Sequence, residues 1–260
     1  MRVAPRAWIG FTVFVAYTLV VVVLTQVGGV DYDELQDSVP NALGGIVLPI
    51  GTAAVLLAIT TTALGWWRPA LRERVPVGPW WLWVVPVLVL ASGVVSVAES
   101  DLGSVDGSLL VMLLVSTAVV GFAEELLVRG VVLTALRSAW RELVVWFTTC
   151  LLFGLLHAIN ALSGQEVGAT AGQMVAAFVG GSAFYVVRRV TGALVWAMAA
   201  HCLWDFGQLV VLSSGSDAAV GTALGDLGLL LAVPAVVYVL VRDHRAGGRV
   251  PSATTSDVAA

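Results

Sequence analysis

The residues able to do chemistry are few and widely spaced. Glu124, Glu125 and Arg129 interrupt one apolar run, His157 and Asn160 a second, and His201 with Asp205 a third. An ionisable group in hydrocarbon costs about 2.5–3.5 kcal/mol on insertion scales, so each is expected to face a protein interior and to do something there. Adjacent residues on a helix project about 100° apart, so Glu124 and Glu125 cannot serve one spot. Arg129 lies four residues beyond Glu125, the spacing at which a carboxylate and a guanidinium meet. That pair neutralises itself and leaves Glu124 for chemistry. His201 and Asp205 are also four apart, which lets the carboxylate accept from the imidazole and hold it charged or in one tautomer. A carboxylate and two imidazoles are groups that can move protons if the spans bring them together.

The elements that must position these residues follow from composition. The chain has 260 residues, 59% apolar and 12% charged, with a mean hydropathy of +0.95, which excludes a water-soluble enzyme. Each crossing of a bilayer core of about 30 Å takes about 20 mostly apolar residues. Apolar runs at 7–27, 42–64, 80–98, 109 to about 140, 143–162, 168–187, 190–212 and 222–241 therefore predict an all-α, polytopic transmembrane helix bundle of about eight spans. Residues 1–241 form a single integral membrane domain in this reading, followed by a disordered cytoplasmic tail over 242–260, rich in Gly, Ser, Thr and Ala. The first run follows Arg2 and Arg6 as a signal peptide would, but it is long and no small-x-small cleavage site follows it before the acidic segment 31–37, so it is kept as a span.

Charge gives the sidedness. Arginines fall at Arg2 and Arg6, at Arg68, Arg72 and Arg74, at Arg137 and Arg141, at Arg188 and Arg189, and in the tail. The alternate connections carry acids instead: Asp31, Asp33, Glu34 and Asp37; Glu99, Asp101 and Asp106; Glu166; Asp217 and Asp226. The arginine side is expected to be cytoplasmic, with both termini there, in a multi-pass protein of the inner (plasma) membrane. Trp66, Trp67, Trp80, Trp81 and Trp83 fit an interfacial belt. The 13 basic residues are all arginine, form no dense run, and the net charge is −4, so nucleic acid is not an expected partner. Cys150 and Cys202 lie within apolar runs and read as packing residues rather than a disulfide or metal site.

Residues from three helices meet only if they lie at one depth. Counting 1.5 Å per residue from the arginine side, Glu124 lies about 24 Å in if its helix ends near Trp140, and His157 also about 24 Å in. His201 and Asp205 lie about 17 and 22 Å in by the same rise, which places the site in the outer half. The arrangement requires Arg129 to be within the membrane, as its pairing with Glu125 permits.

The pattern Glu124-Glu125-Leu126-Leu127-Val128-Arg129, then Phe153-Gly154-Leu155-Leu156-His157 with Asn160, then His201-Cys202-Leu203-Trp204-Asp205 resembles the CPBP family of intramembrane proteases, also called Abi. That family includes the type II CAAX prenyl endopeptidases and bacteriocin-processing or immunity proteins. The motifs EExxxR, FxxxH and HxxxN/D occur in order, one per span, and the resemblance covers about residues 109–212. It implies an intramembrane endopeptidase in which Glu124 is the general base, His157 orients or protonates, and His201 with residue 205 stabilises the oxyanion. Arg129 would lock Glu125. The family often has Asn at the position of Asp205; an ionised Asp cannot donate to an oxyanion, so here it orients His201 or stays protonated. Asn160 reads as a helix–helix hydrogen bond and Phe153 as packing. The resemblance implies a peptide or membrane-protein substrate, prenylated in a CAAX-type role, with the lipid bilayer as surroundings and no cofactor.

Other readings share these residues. Glu124, His157 and His201, with Asp205, supply ligand types for zinc, although no HExxH helix is present and three spans would have to build the tetrahedron. Glu and His chains also relay protons in transporters, which usually show two related halves; no duplication is visible. A catalytically silent bundle that binds a bacteriocin or a signalling partner, as an immunity protein does, would use the same ion network as a scaffold.

Overall fold

A computed structural model describes residues 1–73 and 78–247. Arg74 and the tail beyond Gly247 lie outside the described residues. Among the described residues there is no strand, only an isolated bridge between Arg72 and Ala193, and eight helices are long and apolar enough to cross a membrane. These are α1 Ala7–Gly28, α2 Val39–Leu64, α3 Trp80–Glu99, α4 Gly107–Leu136, α5 Glu142–Leu162, α6 Val167–Thr191, α7 Leu194–Ser214 and α8 Ala219–Arg245. Their order and positions follow the apolar runs. Leu19, Val55, Ile59, Val87, Val111 and Leu230 are exposed on the outside of the bundle, as lipid contact requires.

α4 is the central helix. It packs against α1, α2, α5 and α7, and residues 125–137 are buried without a break. A helix apolar on every side belongs in such a core, and this one carries Glu125 and Arg129 into it. Its backbone widens into a π-helical stretch at Leu126–Val132, directly after the glutamate pair; π turns often mark functional sites. Small residues let its neighbours approach. A Cβ on Gly121 would come within 2.7 Å of Met198 O and 3.0 Å of Cys202 N in α7, and one on Gly154 of α5 within 2.7 Å of Met174 O in α6.

The ends of the helices revise two expectations. α4 ends at Leu136 rather than near Trp140, and α7 begins at Leu194 rather than Val190, because Trp140 and Gly192 belong to turns. Recounted from these ends, Glu124 lies about 18 Å in, His157 about 22 Å, and His201 and Asp205 about 10 and 16 Å. The four residues thus lie between about 10 and 22 Å from the arginine-bearing ends of their helices, around mid-span. The last helix runs past Val241 to Arg245, so the tail does not begin at 242; Arg189 Nη1 donates to Asp243 Oδ2 at 2.7 Å and holds that turn in place.

Three of the arginines used to assign sidedness, Arg137, Arg188 and Arg189, are buried. Arg137 Nη1 donates to Glu73 Oε2 at 3.0 Å and Nε to Glu142 Oε2 at 3.0 Å. Arg188 Nη2 donates to Pro69 O at 3.0 Å, and its Nη1 donates to Ala70 O and Arg129 O. Glu73, Glu142 and Asp243 thus face Arg137, Arg188 and Arg189, a balanced cluster that closes the arginine-bearing end. Burial pushes the Glu73 carboxyl up, but Arg137, Arg188 and Arg189 together outweigh it and hold it down at about 2. At the opposite end acids cap helices: Asp106 Oδ1 accepts from Ser108 N, Glu166 Oε2 from Ala169 N, and Glu99 Oε2 from Gly221 N.

Candidate active site

The sequence motifs converge on one cavity of about 350 Å³ whose walls include Glu124 from α4, His157 and Asn160 from α5, and His201 and Asp205 from α7. α1 and α2 supply much of the remaining wall, through Tyr17, Val21, Ile46 and Ile50. The connection between those two helices contributes Val30, Tyr32, Leu35 and Gln36, so the cavity reaches toward the acidic end of the bundle.

Glu125 and Arg129 form the expected pair, Nη1 to Oε1 at 2.8 Å, both fully buried. Gly181 of α6 makes room for it, since a Cβ there would come within 2.6 Å of Arg129 Nη2. Glu124 points elsewhere, into the cavity wall. Its Oε2 is buried and has no hydrogen-bond partner within the protein, while His157, His201 and Asp205 all lie within electrostatic range. The 100° divergence read from the sequence therefore separates an ion-paired glutamate from an uncommitted one.

The two imidazoles are held differently. His157 Nδ1 is 3.0 Å from Phe153 O; a carbonyl only accepts, so Nδ1 carries a proton and the contact leaves Nε2 as the other nitrogen of the ring. α5 breaks just here, with turn residues at His157 and Ala158 before Ile159–Leu162 resumes the helix. His201 lies between two carboxylates. Its Nε2 is 3.3 Å from Asp205 Oδ2, as the four-residue spacing predicts, and its Nδ1 is 3.3 Å from Glu125 Oε1, close enough to attract though not aligned as a hydrogen bond. The contact with Glu125 joins α4 to α7 and has no signature in the sequence, because spacing within one helix says nothing of what a second helix brings.

Aromatic rings fix these orientations. Phe153 lies under the Arg129 guanidinium, 3.9 Å from Cζ to the ring centroid, and meets His157 and His201 edge-on at 5.3 and 5.6 Å. It does more than fill space: one ring touches the cation and both histidines. Phe184 of α6 stacks on His201 at 4.7 Å, a role no motif announced. Asn160 Nδ2 donates to Gln173 Oε1 at 2.9 Å, the interhelical bond expected of it, and Gln173 Nε2 passes the chain to Tyr32 OH at 3.0 Å. Burial raises the Tyr32 phenol above its ordinary range; the Gln173 bond opposes this, and Asp205, Asp33 and Glu124 add to it. Tyr32 is therefore a neutral hydroxyl at the cavity's edge.

Among the described residues no three His, Cys, Asp or Glu side chains are grouped to hold a metal ion. Both nitrogens of His201 face carboxylates of the protein, while His157 has one nitrogen against a carbonyl.

Residues 106–207 match the family described as Type II CAAX prenyl endopeptidase Rce1-like. The matched stretch runs from the cap of α4 into α7 and contains Glu124, Glu125, Arg129, His157, Asn160, His201 and Asp205. No curated protein and no solved structure matches the chain. Its eight apolar helices make the chain a multi-pass membrane protein, and its residues 106–207 are similar to the Rce1-like type II CAAX prenyl endopeptidase family.

Proposed function

We propose that the protein is an intramembrane endopeptidase in which Glu124 activates the attacking water. The observation that carries this reading is the buried, unpartnered Oε2 of Glu124 in the wall of a cavity shared with both histidines. A buried carboxylate oxygen without a partner is costly and is kept where it has work to do. Glu124 takes a proton from water as the new C–O bond forms and passes it to the leaving amine as the C–N bond breaks. His157, with Nδ1 committed to Phe153 O, presents Nε2 to the same space and orients the water. His201, held between Glu125 and Asp205, is the electropositive element of the wall, and Asp205 acts by orienting it. Glu125 and Arg129 support the site without touching substrate.

The substrate is a peptide segment taken from the bilayer or from the cavity's acidic mouth; the arginine-bearing end is cytoplasmic in this reading, as are both termini. In this reading the attacking water is activated by the unpartnered Glu124 carboxylate rather than by a metal ion. The test is a proteomic comparison of membranes bearing the native protein and the Glu124→Gln variant. Peptide termini present only with the native protein are expected, and they persist when a strong chelator is added to the membranes. Identical termini in both would overturn the proteolytic reading, and chelator-sensitive cleavage restored by zinc would replace glutamate-activated water with metal chemistry.

A further inference from the structure

We infer that Tyr17, on α1 and outside the matched segment, is a catalytic residue whose hydroxyl donates a hydrogen bond to the oxyanion; the inference rests on the proteolytic reading of the Glu124 site. The arrangement of the motif residues leaves a donor missing. Hydrolysis places negative charge on the former carbonyl oxygen, and preorganised donors aimed at it supply much of the catalysis. Asp205 as a carboxylate only accepts. His201 faces Asp205 with Nε2 and Glu125 with Nδ1, and His157 spends Nδ1 on Phe153 O.

Tyr17 fills that gap. Its side chain is 6% exposed, it contributes to the wall of the cavity that holds Glu124, His157 and His201, and its hydroxyl is buried without a hydrogen-bond partner in the protein. Buried hydroxyls are almost always paired, so an unpaired one lining the same cavity as an unpaired carboxylate oxygen points to a polar group that comes and goes. Tyr17 and Glu124 lie within electrostatic range of each other. The helix geometry supports this. α1 and α4 run antiparallel and touch at Gly10 and Ala135, where a Cβ on the glycine would come within 2.7 Å. From that crossing Tyr17 is about 10 Å and Glu124 about 16 Å toward the acidic end, a difference that one tyrosine side chain spans.

The step balances without any co-reactant. As Glu124 removes a proton from water and the water oxygen bonds to the carbonyl carbon, the carbonyl π pair moves to oxygen and the Tyr17 O–H points to it. The phenol keeps its proton throughout. Collapse returns the pair to the C=O bond, expels the amine and delivers the Glu124 proton to nitrogen.

The experiment uses the full chain in detergent with a quenched-fluorescent peptide bearing a cleavage sequence from the Glu124→Gln membrane comparison, and the aldehyde of the same sequence as a tetrahedral mimic. Tyr17→Phe keeps the ring and removes the donor. The expected result is a kcat about 10²–10³-fold lower with KM unchanged, a melting temperature no lower than the native protein's, and a comparable loss of affinity for the aldehyde. A kcat within about threefold of native, or equal losses in peptide and aldehyde binding, overturns the role of Tyr17 while Glu124→Gln stays inactive and the proteolytic reading stands. Cleavage by the Glu124→Gln protein at the native rate overturns both.

Discussion

At the scale of residues, two adjacent glutamates have different surroundings, and the proposed roles predict that mutation separates them. Glu125 is bonded to Arg129 and faces His201, so Glu125→Gln breaks a buried pair and is expected to lower stability by about 3–5 kcal/mol as well as abolish cleavage. Glu124 has an unpartnered oxygen, so Glu124→Gln should leave the thermal unfolding temperature in detergent unchanged or raised. Equal destabilisation by both changes would contradict the division of labour. This division was legible in the sequence, since the i, i+4 spacing of Glu125 and Arg129 decides which glutamate is left over. The second contact of Glu125, to His201, was not, nor was the stacking of Phe184 on that ring. Both depend on where other helices lie, and no local spacing encodes that.

At the scale of elements, the site depends on how closely α4 and α7 approach. Gly121→Ala would place a Cβ within 2.7 Å of Met198 O, so the helices must separate. The expected result is a loss of about 1–3 kcal/mol and more than about a tenfold drop in cleavage, because a small misplacement of catalytic groups is amplified in rate. Gly172→Ala in α6 is the matched control: nothing lies within 4 Å of its Cβ, and a helical alanine in open space stabilises by about 0.5–1 kcal/mol. Melting curves and cleavage rates of the two variants check this. The spans themselves were legible from hydropathy to within a few residues. Helix ends were less so: α4 ends at Leu136 and α7 begins at Leu194 while the apolar pattern runs on past both points, and the depth estimate shifted with them.

At the scale of the whole molecule, charge divides the bundle into two ends. The cavity reaches toward the acidic end, and the arginine end is closed by the cluster of Glu73, Glu142 and Asp243 with Arg137, Arg188 and Arg189. Those arginines look from the sequence like surface markers of topology, because their partners Glu73 and Asp243 are distant in the chain. Arg188 also ties the cluster to the site, donating to Arg129 O inside the π-helical stretch. The Glu73 carboxyl is held at about 2 in the folded protein, against 4.5 ordinarily. A depressed carboxyl stabilises the fold above its unfolded value, so this contribution is complete above about pH 4.5 and is lost as pH falls toward 2. Acid unfolding in detergent should therefore steepen across that window and flatten in Glu73→Gln; superimposable profiles would refute the assignment. Sidedness has its own check. A cysteine at position 68 is expected to react with an impermeant thiol reagent only from the cytoplasm and one at position 101 only from outside, and the reverse labelling would invert the topology.

The central claim, that Glu124 makes water nucleophilic, meets its most direct test in the single-turnover cleavage rate of purified protein in proteoliposomes. Glu124→Gln should slow the chemical step by about 10²–10⁴-fold, the range that a positioned general base contributes, while the folded fraction and peptide affinity stay at native values. A rate within tenfold of native, in a protein that is equally folded, would contradict it.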